Sequence, residues 1–438
     1  MVARARVGPA GWSAGVDELL ERIGGRFGRI ELRHRVRGFL FGLLADLPRK
    51  NCWTIAEHAG ETTPDGMQHL LARAVWDTDG VAEDLRDYVI EHLADPGAVL
   101  VIDETGDVKK GAHTVGVQRQ YTGTAGRIEN SQVAVYLAYA ARSGHALIDR
   151  KLYLPKSWTD DPARCAAAGV PAAVEFATKP ALATAMLTRA VEDGVPAAWV
   201  AGDEVYGADP DLRAALEARR VGYVLAIAGN RRLPTAAGPL RADALAAALP
   251  RRAWQRLSAG PGAKGQRFYD WAWVELPSPV PAKADSAAGC RWLLIRRSRR
   301  TGELSFYRCY APTPVRLRQL VAIAGRRWTI EENFQGGKGL AGLDEHQVRR
   351  WLPWRRWTLL AMLAHALLVV LAAGEHAAGA PPAGLIPLTC NELHRLLVRR
   401  VIEPARRPAD PEAWSRWRRR HQHRARASHY RRQAADLS

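Results

Sequence analysis

Residues 98–111 read AVLVIDETGDVKKG, and this stretch does most to decide the fold. Its first five residues form a continuous apolar run after Pro96 and Gly97, a pattern typical of a β-strand buried on both faces. The run ends abruptly at Asp103. Because strands of this kind occur in sheets covered by helices, the stretch predicts the first strand of an α/β core with a carboxylate at its end.

The segments that follow extend the same pattern. Two further apolar segments are separated by a tight turn at residues 142–144, and helical and strand-like segments then alternate. In chain order the predicted elements are three strands, a helix, a strand, a helix and a strand, at 98–102, 132–141, 146–154, 178–191, 197–201, 211–219 and 222–227. This order predicts a mixed α/β sheet flanked by helices.

The flanking regions have a different character. Apolar residues recur at helical spacing through residues 1–95, which predicts an N-terminal helical domain. Residues 229–310 are turn-rich with short aromatic strands and predict an all-β insertion. The predicted α/β core is therefore 96–228 together with 311–375, and 376–438 is a C-terminal segment with a basic tail. The apolar run at 359–373 is shorter than the roughly 20 residues of a membrane span, so we expect a buried core helix.

Composition limits the class of protein. The 438 residues are 47% hydrophobic and 25% charged, which excludes wholesale disorder and fibrous folds. The 63 Lys and Arg against 45 Asp and Glu give a net charge of +18. This excess indicates a polyanionic partner, nucleic acid before an anionic membrane surface, with salt-sensitive binding. The five cysteines lie far apart and predict neither a disulfide framework nor a zinc site, so we expect a reducing, cytoplasmic location.

One motif resembles a nucleotide-binding loop but lacks residues that such a loop requires. Residues 335–339 read QGGKG and resemble the end of a phosphate-binding loop. The upstream glycine and the Ser or Thr after the lysine are missing, so a nucleoside triphosphate is not an expected ligand.

Three acids stand at positions with chemical meaning. Asp103 and Asp203 each follow an apolar strand, where a lone acid is most often a turn former or a helix cap. Arg327, Glu331 and Lys338 are spaced four and seven apart and share one helix face, which by itself fits an ordinary salt-bridge ladder.

Together the three acids favour a metal site. Carboxylates within about 4 Å of one another repel by several kcal/mol per pair at an effective dielectric near 20, so a fold tolerates them with a cation between them. All-oxygen ligation suits Mg²⁺, with Mn²⁺ as a substitute, and such ions can activate a water or a 3′-hydroxyl for attack on a phosphodiester.

The order of these features resembles the DDE transposases of bacterial insertion sequences, the group with a Y-x2-R-x3-E-x6-K signature and an RNase H-like catalytic core. The resemblance covers about residues 33–373. It includes the strings at 102–111, 116–122, 130–133 and 342–348. The tyrosine of the signature falls on Ala324, so its contribution is absent or is supplied elsewhere, with Trp328 as the candidate.

The resemblance implies a role for each matching residue. Asp103, Asp203 and Glu331 would bind the metal ions and carry catalysis. Glu332 is the rival to Glu331, which alone satisfies both signature spacings. Arg327 and Lys338 would contact phosphates of the transposon end.

Other basic and aromatic residues are weaker candidates. Lys109 and Lys110 are either DNA backbone contacts or part of a solvated loop. Arg49 and Lys50 join two predicted helices, in a region that either docks on phosphates as a DNA-binding domain or packs as a lid. Four tryptophans of the insertion are candidates for stacking on a flipped base, at most one of which would do so: Trp254, Trp271, Trp273 and Trp292. The tail at 416–432 holds eight arginines and is expected to be a flexible, DNA-contacting arm.

The sequence therefore predicts a cut-and-paste transposase. It would cleave double-stranded DNA at terminal inverted repeats and transfer the freed strand to target DNA, as a homodimer on paired ends at the nucleoid and without a membrane. The alternatives are a catalytically inactive, transposase-derived DNA-binding protein, or an RNase H-like nuclease without strand transfer.

Overall fold

The computed structural model describes residues 8–262, 265–277 and 289–436. The chain forms two compact units. The first comprises Leu85–Gln335, and the second joins the residues up to Asp84 with those from Gly336 onwards. This grouping differs from the predicted boundaries at 95, 228, 310 and 375, which stay predictions. Of the predicted segments, residues 1–7, 263–264 and 278–288 lie outside the described residues.

Helices and strands are numbered in chain order. The helices are α1 (Gly8–Gly24), α2 (Ile30–Leu44), α3 (Cys52–His58), α4 (Asp65–Ala72), α5 (Thr78–Leu93), α6 (Lys156–Thr159), α7 (Pro162–Ala167), α8 (Lys179–Glu192), α9 (Glu204–Gly207), α10 (Pro210–Ala218), α11 (Ala242–Ala247), α12 (Leu317–Arg326), α13 (Thr329–Ala341), α14 (Trp351–Ala377), α15 (Cys390–Leu397) and α16 (Pro411–Asp436). The strands are β1 (Val99–Val108), β2 (Gln118–Thr122), β3 (Arg127–Ala140), β4 (His145–Leu152), β5 (Trp199–Gly202), β6 (Gly222–Ile227), β7 (Arg232–Leu233), β8 (Leu240–Arg241), β9 (Gln255–Gly262), β10 (Gly265–Leu276), β11 (Cys290–Arg297) and β12 (Leu304–Ala311). A 3₁₀ turn spans Arg251–Ala253, and a π-helical turn, Val398–Ile402, continues α15.

The unit Leu85–Gln335 is built on one large mixed sheet. Its strands run in the order β2-β3-β1-β5-β6-β12-β11-β10-β9, with β4 also paired to β3. The pairs β1–β5 and β5–β6 are parallel, whereas β1–β3 and β3–β4 are antiparallel. The predicted mixed α/β layout is confirmed, and β1 is buried from Val99 to Asp103 as its apolar run predicts. The strand does not end there as predicted, because its pairing with β3 continues to Val108 and Asp103 lies within it.

Strand register sets the position of the two aspartates. In the parallel pairing of β1 with β5, Ile102 lies opposite Gly202. The next residues, Asp103 and Asp203, therefore stand side by side at one edge of the sheet. Gly202 permits the close approach of the strands, because a Cβ there would lie 2.8 Å from Cγ2 of Ile102.

The segment 229–310 is not all-β. It contains α11, whose buried Ala242 and Ala246 belong to an apolar cluster with Leu293, Ile295 and Phe306. The helix has six residues, five of which are apolar, so it is too short to show helical periodicity in the sequence. The strands of the segment extend the main sheet, since β12 pairs antiparallel with β6 and β11, β10 and β9 follow.

The second unit is helical in its described residues apart from turns and loops. Its α14 contains the predicted core helix at 359–373, and its side chains are buried from Trp357 to Ala373. Within the described chain, α14 is the one helix long and apolar enough to cross a membrane, and 89% of its most apolar window is buried inside the protein.

The C-terminal tail differs from the expected flexible arm. Residues Pro411–Asp436 form the helix α16. Trp414 near its start is 1% exposed and donates a hydrogen bond from Nε1 to the Glu61 carbonyl oxygen at 2.8 Å. Buried aromatic packing at one end fixes a helix that charge alone would disfavour.

Candidate active site

The two predicted aspartates meet at the edge of the sheet. Asp103 lies on β1 and is 7% exposed. Its Oδ1 accepts a hydrogen bond from the Glu104 backbone N–H at 2.8 Å. Asp203 is the N-cap of α9, and its Oδ1 accepts from the Val205 backbone N–H at 2.9 Å. Each carboxylate is thus held by a main-chain donor that fixes its orientation.

The surroundings of Asp103 and Asp203 disfavour the ionised forms of both carboxyl groups. Burial, followed by the negative charge of Asp203, raises the pKa of Asp103 to about 8, while the guanidinium of Arg327 opposes the shift. Burial and the charge of Glu104 raise the pKa of Asp203. Clustered carboxylates with raised pKa values are typical of functional sites, because a stable fold alone does not require them.

The two adjacent aspartates, Asp103 and Asp203, offer donors of the kind that suit a divalent metal ion, whereas the described residues bring no third acid within 4.8 Å of both. Their donor atoms are carboxylate oxygens, the ligands that Mg²⁺ and Mn²⁺ prefer. The mutual repulsion that raises the pKa of Asp103 is the kind that a bound cation removes.

Arg327 joins this cluster. It lies between α12 and α13, and its Nη1 is 3.4 Å from Oδ2 of Asp103. The sequence predicted a phosphate contact for this residue. The ion pair with Asp103 places the guanidinium beside the acids, and the predicted phosphate contact stays a prediction.

The neighbouring acids of α13 have different surroundings. Oε2 of Glu332 lies 3.2 Å from Nε2 of His145, and this hydrogen bond lowers the pKa of Glu332. Glu331 is half-buried in the first turn of α13, and among the described residues its carboxylate has no ion-pair partner. The assignment of Glu331 to the metal site stays a prediction, with Glu332 engaged by His145.

One acid of the cluster was missed by the sequence analysis. Glu104 follows Asp103 on β1, and its negative charge contributes to the raised pKa of Asp203. Its Oε1 accepts a hydrogen bond from Nζ of Lys179 at 2.7 Å, and its Oε2 accepts one from the hydroxyl of Tyr206 at 2.5 Å. Glu104 lies within the stretch 102–111 that drew attention to Asp103. Its partners Lys179 and Tyr206 are 75 and 102 residues away in the chain, so the sequence did not indicate these contacts.

A cleft of about 560 Å³ opens from Asp203 toward the strands β9–β12. Its lining includes three arginines and several aromatic residues: Arg267, Arg296, Arg327, Tyr269, Trp271, Tyr307 and Trp328. Ala324, at the position of the signature tyrosine, lines the same cleft. Trp328 is 52% exposed and therefore presents an aromatic face close to that position.

The candidate stacking tryptophans are mostly packing residues. Trp292 is 4% exposed and stacks on Trp273, with ring centroids 5.6 Å apart and an interplanar angle of 15°. Trp271 is 1% exposed and lines the cleft, where its indole N–H has no hydrogen-bond partner among the described residues. The guanidinium of Arg297 covers the ring of Trp254 at 4.1 Å.

Some of the side chains predicted to contact phosphates are exposed, and others already contact groups of the protein itself. Arg49 and Lys110 are exposed, Lys338 is half-buried on α13, and Nζ of Lys109 lies 3.9 Å from Oδ2 of Asp107. The prediction for Lys50 is wrong. Its side chain is 5% exposed and its ammonium donates to the Leu340 carbonyl oxygen at 2.9 Å, so it is not available to DNA.

Residues 23–266, more than half of the chain, match the family model of the DDE superfamily endonuclease. The chain belongs to this family, and the resemblance drawn from its sequence is confirmed. The matched region contains Asp103 and Asp203 and ends before Glu331.

The individual proteins to which this chain is similar have low sequence identity to it. The "Probable transposase for insertion sequence element IS701" of Microchaete diplosiphon is 28% identical over 192 residues, which cover 43% of this chain and 47% of that protein. The chain thus spans about half the length of this curated relative. The piggyBac transposase in a synaptic complex with hairpin DNA, solved by cryo-EM, is 10% identical with a TM-score of 0.45, over 92% of this chain and 79% of that one.

Proposed function

We propose that this protein is a transposase that cleaves double-stranded DNA at the inverted repeats of an insertion sequence and joins the freed strand to target DNA. The observation that carries the proposal is the side-by-side placement of Asp103 and Asp203 next to Arg327, in a chain of the DDE endonuclease family. The strand order β4-β3-β1-β5-β6, in which β3 alone is antiparallel to its neighbours, supports an RNase H-like core.

Asp103, Asp203 and Glu331 are the residues that would hold Mg²⁺ or Mn²⁺. A divalent ion held there would make a bound water, or the 3′-hydroxyl of a DNA end, nucleophilic at neutral pH and would stabilise charge on the departing oxygen. The main-chain donors at Glu104 and Val205 each hold one oxygen of an aspartate, and the second oxygen of Asp103 faces Arg327.

Arg327 and the residues that line the cleft would contact the DNA. The guanidinium of Arg327 orients Asp103 and offers donors to a phosphate next to the scissile bond. The arginines of the cleft suit a phosphate chain, and the exposed ring of Trp328 suits an unstacked base. Arg49 and Lys110 are exposed cations available to the DNA backbone outside the cleft. Self-association on paired ends and a nucleoid location belong to the same proposal.

The substitution Asp203→Asn tests the chemistry without removing the helix cap, because asparagine also caps helices well. We expect cleavage of a duplex carrying the terminal inverted repeat to fall by about 10³-fold or more, equal to roughly 4 kcal/mol of barrier, with binding in EDTA unchanged. Asp209→Asn is the matched control, since Asp209 caps α10 through a 2.8 Å hydrogen bond to the Leu212 N–H. This control should leave cleavage intact.

The wild-type reaction distinguishes the alternatives. Cleaved products that never join target DNA would indicate a nuclease without strand transfer. Binding without metal-dependent nicking would indicate a transposase-derived binding protein, and cleavage that survives Asp203→Asn would exclude the proposed site.

A further inference from the structure

The helix α16 separates its side chains into an anchored face and a charged face. On the anchored face, Trp417 packs edge-on against Trp53 of α3, with ring centroids 4.8 Å apart. His421 stacks on Trp417 at 5.3 Å, and Arg418 pairs with Glu57 of α3 at 2.8 Å. Together with the buried Trp414, these contacts tie the first three turns of α16 to α3.

The other face is a row of cations. It consists of Arg416, Arg419, Arg420, His423 and Arg424, here called the cationic stripe, which together line one open surface depression. Their spacing of three to four residues places them on one side of the helix over about 12 Å. All five are exposed. From 413 to 435 the sequence contains no Asp or Glu.

The cationic stripe is unfavourable for the isolated helix. Arg416 and Arg420, and again Arg420 and Arg424, are like charges at i,i+4 spacing, which destabilises a helix. Arg416 has a single acidic partner, Glu412, at 3.5 Å, and that carboxylate is largely exposed. The described residues provide no carboxylate partner for Arg419, Arg420 or Arg424. A polyanion laid along this face would remove the repulsion.

We propose that the cationic stripe is a docking surface for duplex DNA that binds the phosphate backbone without reading sequence. This inference rests on the proposed function for the identity of the polyanion. A duplex presents one phosphate charge per about 1.7 Å of its axis, so the 12 Å stripe spans several phosphates. Arginine suits this role because its planar donors match phosphate oxygens.

The face fits other occupants less well. A helix that lies in a membrane surface needs an apolar face directed at the lipid. In α16 the rings of Trp414 and Trp417 pack inward, and Tyr430 is the large exposed ring on the described helix. A second copy of the same stripe would add repulsion between like charges.

The test uses the full-length protein and a 30-base-pair duplex of arbitrary sequence, in EDTA, with binding followed by fluorescence anisotropy across a KCl series. Changing Arg416, Arg419, Arg420 and Arg424 together to Gln should make the slope of log K against log[salt] shallower by about 3 to 4, the loss expected for four phosphate contacts. The corresponding four Lys substitutions should keep most of the slope, because the charges remain. Circular dichroism of each variant checks that α16 remains helical.

The matched control removes four other exposed arginines of the same unit: Arg399, Arg400, Arg406 and Arg407, each changed to Gln. An equal flattening of the slope in both variants would overturn the proposal, because net charge would then account for the effect. An unchanged slope in the stripe variant would also overturn it, as would loss of binding to phosphatidylserine vesicles with DNA binding intact. Cleavage of terminal repeats by the same preparations tests the proposed function separately.

Discussion

The hydroxyl of Tyr206 donates a 2.5 Å hydrogen bond to Oε2 of Glu104, and this bond joins α9 to β1. Asp203 is the N-cap of α9, so the bond holds the turn that orients it. Tyr206 is fully buried, and Lys179 neutralises the other oxygen of Glu104. Glu104 is therefore a positioning residue for Asp203.

Removing this hydrogen bond should loosen the metal site. We expect Tyr206→Phe to raise the Mg²⁺ concentration for half-maximal cleavage several-fold and to lower the free energy of unfolding by about 1–2 kcal/mol. Tyr223→Phe is the control, because the fully buried Tyr223 donates a 2.6 Å hydrogen bond to Glu217 in the same unit. A similar stability loss with an unchanged Mg²⁺ requirement is expected there. An equal Mg²⁺ shift in both variants would contradict a specific role for Glu104.

The raised pKa of Asp103 makes the stability of the metal-free protein depend on pH. A carboxyl group that titrates near 3.8 when unfolded and at about 8 when folded stabilises the fold below the lower value, and this contribution is lost as pH rises through the upper one. Asp103→Asn should therefore gain stability over the wild type as pH rises from 5 to 9, by a few kcal/mol at about 1.4 kcal/mol per pKa unit. Thermal unfolding in EDTA measures this gain.

The same comparison of the wild type with Asp103→Asn can be made at saturating Mg²⁺. A cation bound to the ionised acids stabilises the folded wild type by mass action, so the advantage of Asp103→Asn should shrink or reverse at pH 8. If the variant is no more stable than the wild type at high pH in EDTA, burial and the charge of Asp203 do not raise the pKa of Asp103 in solution.

Adjacent acids of α13 provide a matched pair for the third metal ligand. Glu331→Gln should reduce cleavage by about 10³-fold, because it removes a charged ligand and keeps the side-chain volume. Glu332→Gln should change cleavage by less than about fivefold, since its hydrogen bond to His145 is a partly exposed contact of small energy. The reverse order of effects would transfer the catalytic role to Glu332.

Lys50 and Arg49 are neighbours with opposite exposure. Lys50→Met should lower the free energy of unfolding by about 1–3 kcal/mol, because the carbonyl of Leu340 loses its donor in a buried place. Arg49→Gln should leave stability unchanged and reduce DNA affinity at low salt, as expected for an exposed phosphate contact. Urea unfolding and anisotropy on the same preparations separate the two effects.

Local pattern predicted the part of the fold that holds the aspartates. The apolar run before Asp103 and the short strand before Asp203 specify buried strands, and the parallel register of β1 and β5 places the residues after Ile102 and Gly202 side by side. Glu104 was missed because its partners Lys179 and Tyr206 are distant in sequence, and because the apolar run ends before it, so that the sequence did not place it within the strand. Proximity of that kind follows from tertiary packing, which periodicity does not record.

Other differences have equally physical causes. Lys50 was a candidate phosphate contact because it lies in a basic segment between two helices, yet its ammonium group is buried and donates to the Leu340 carbonyl oxygen. The tail was expected to be flexible because of its charge, whereas the aromatic packing of Trp414 and Trp417 fixes its first turns. In both cases a few specific contacts outweigh an average tendency.

The pairing of β12 with β6 has a mechanical consequence. Five consecutive residue pairs, from Tyr310 and Tyr223 to Phe306 and Ile227, join the far wall of the cleft to the strand next to the one that ends at Asp203. A hinge motion that opened or closed the cleft would have to break the backbone hydrogen bonds between these two strands. The pairing supports a cleft of fixed shape, and under the proposed function the DNA would have to bend to fit it.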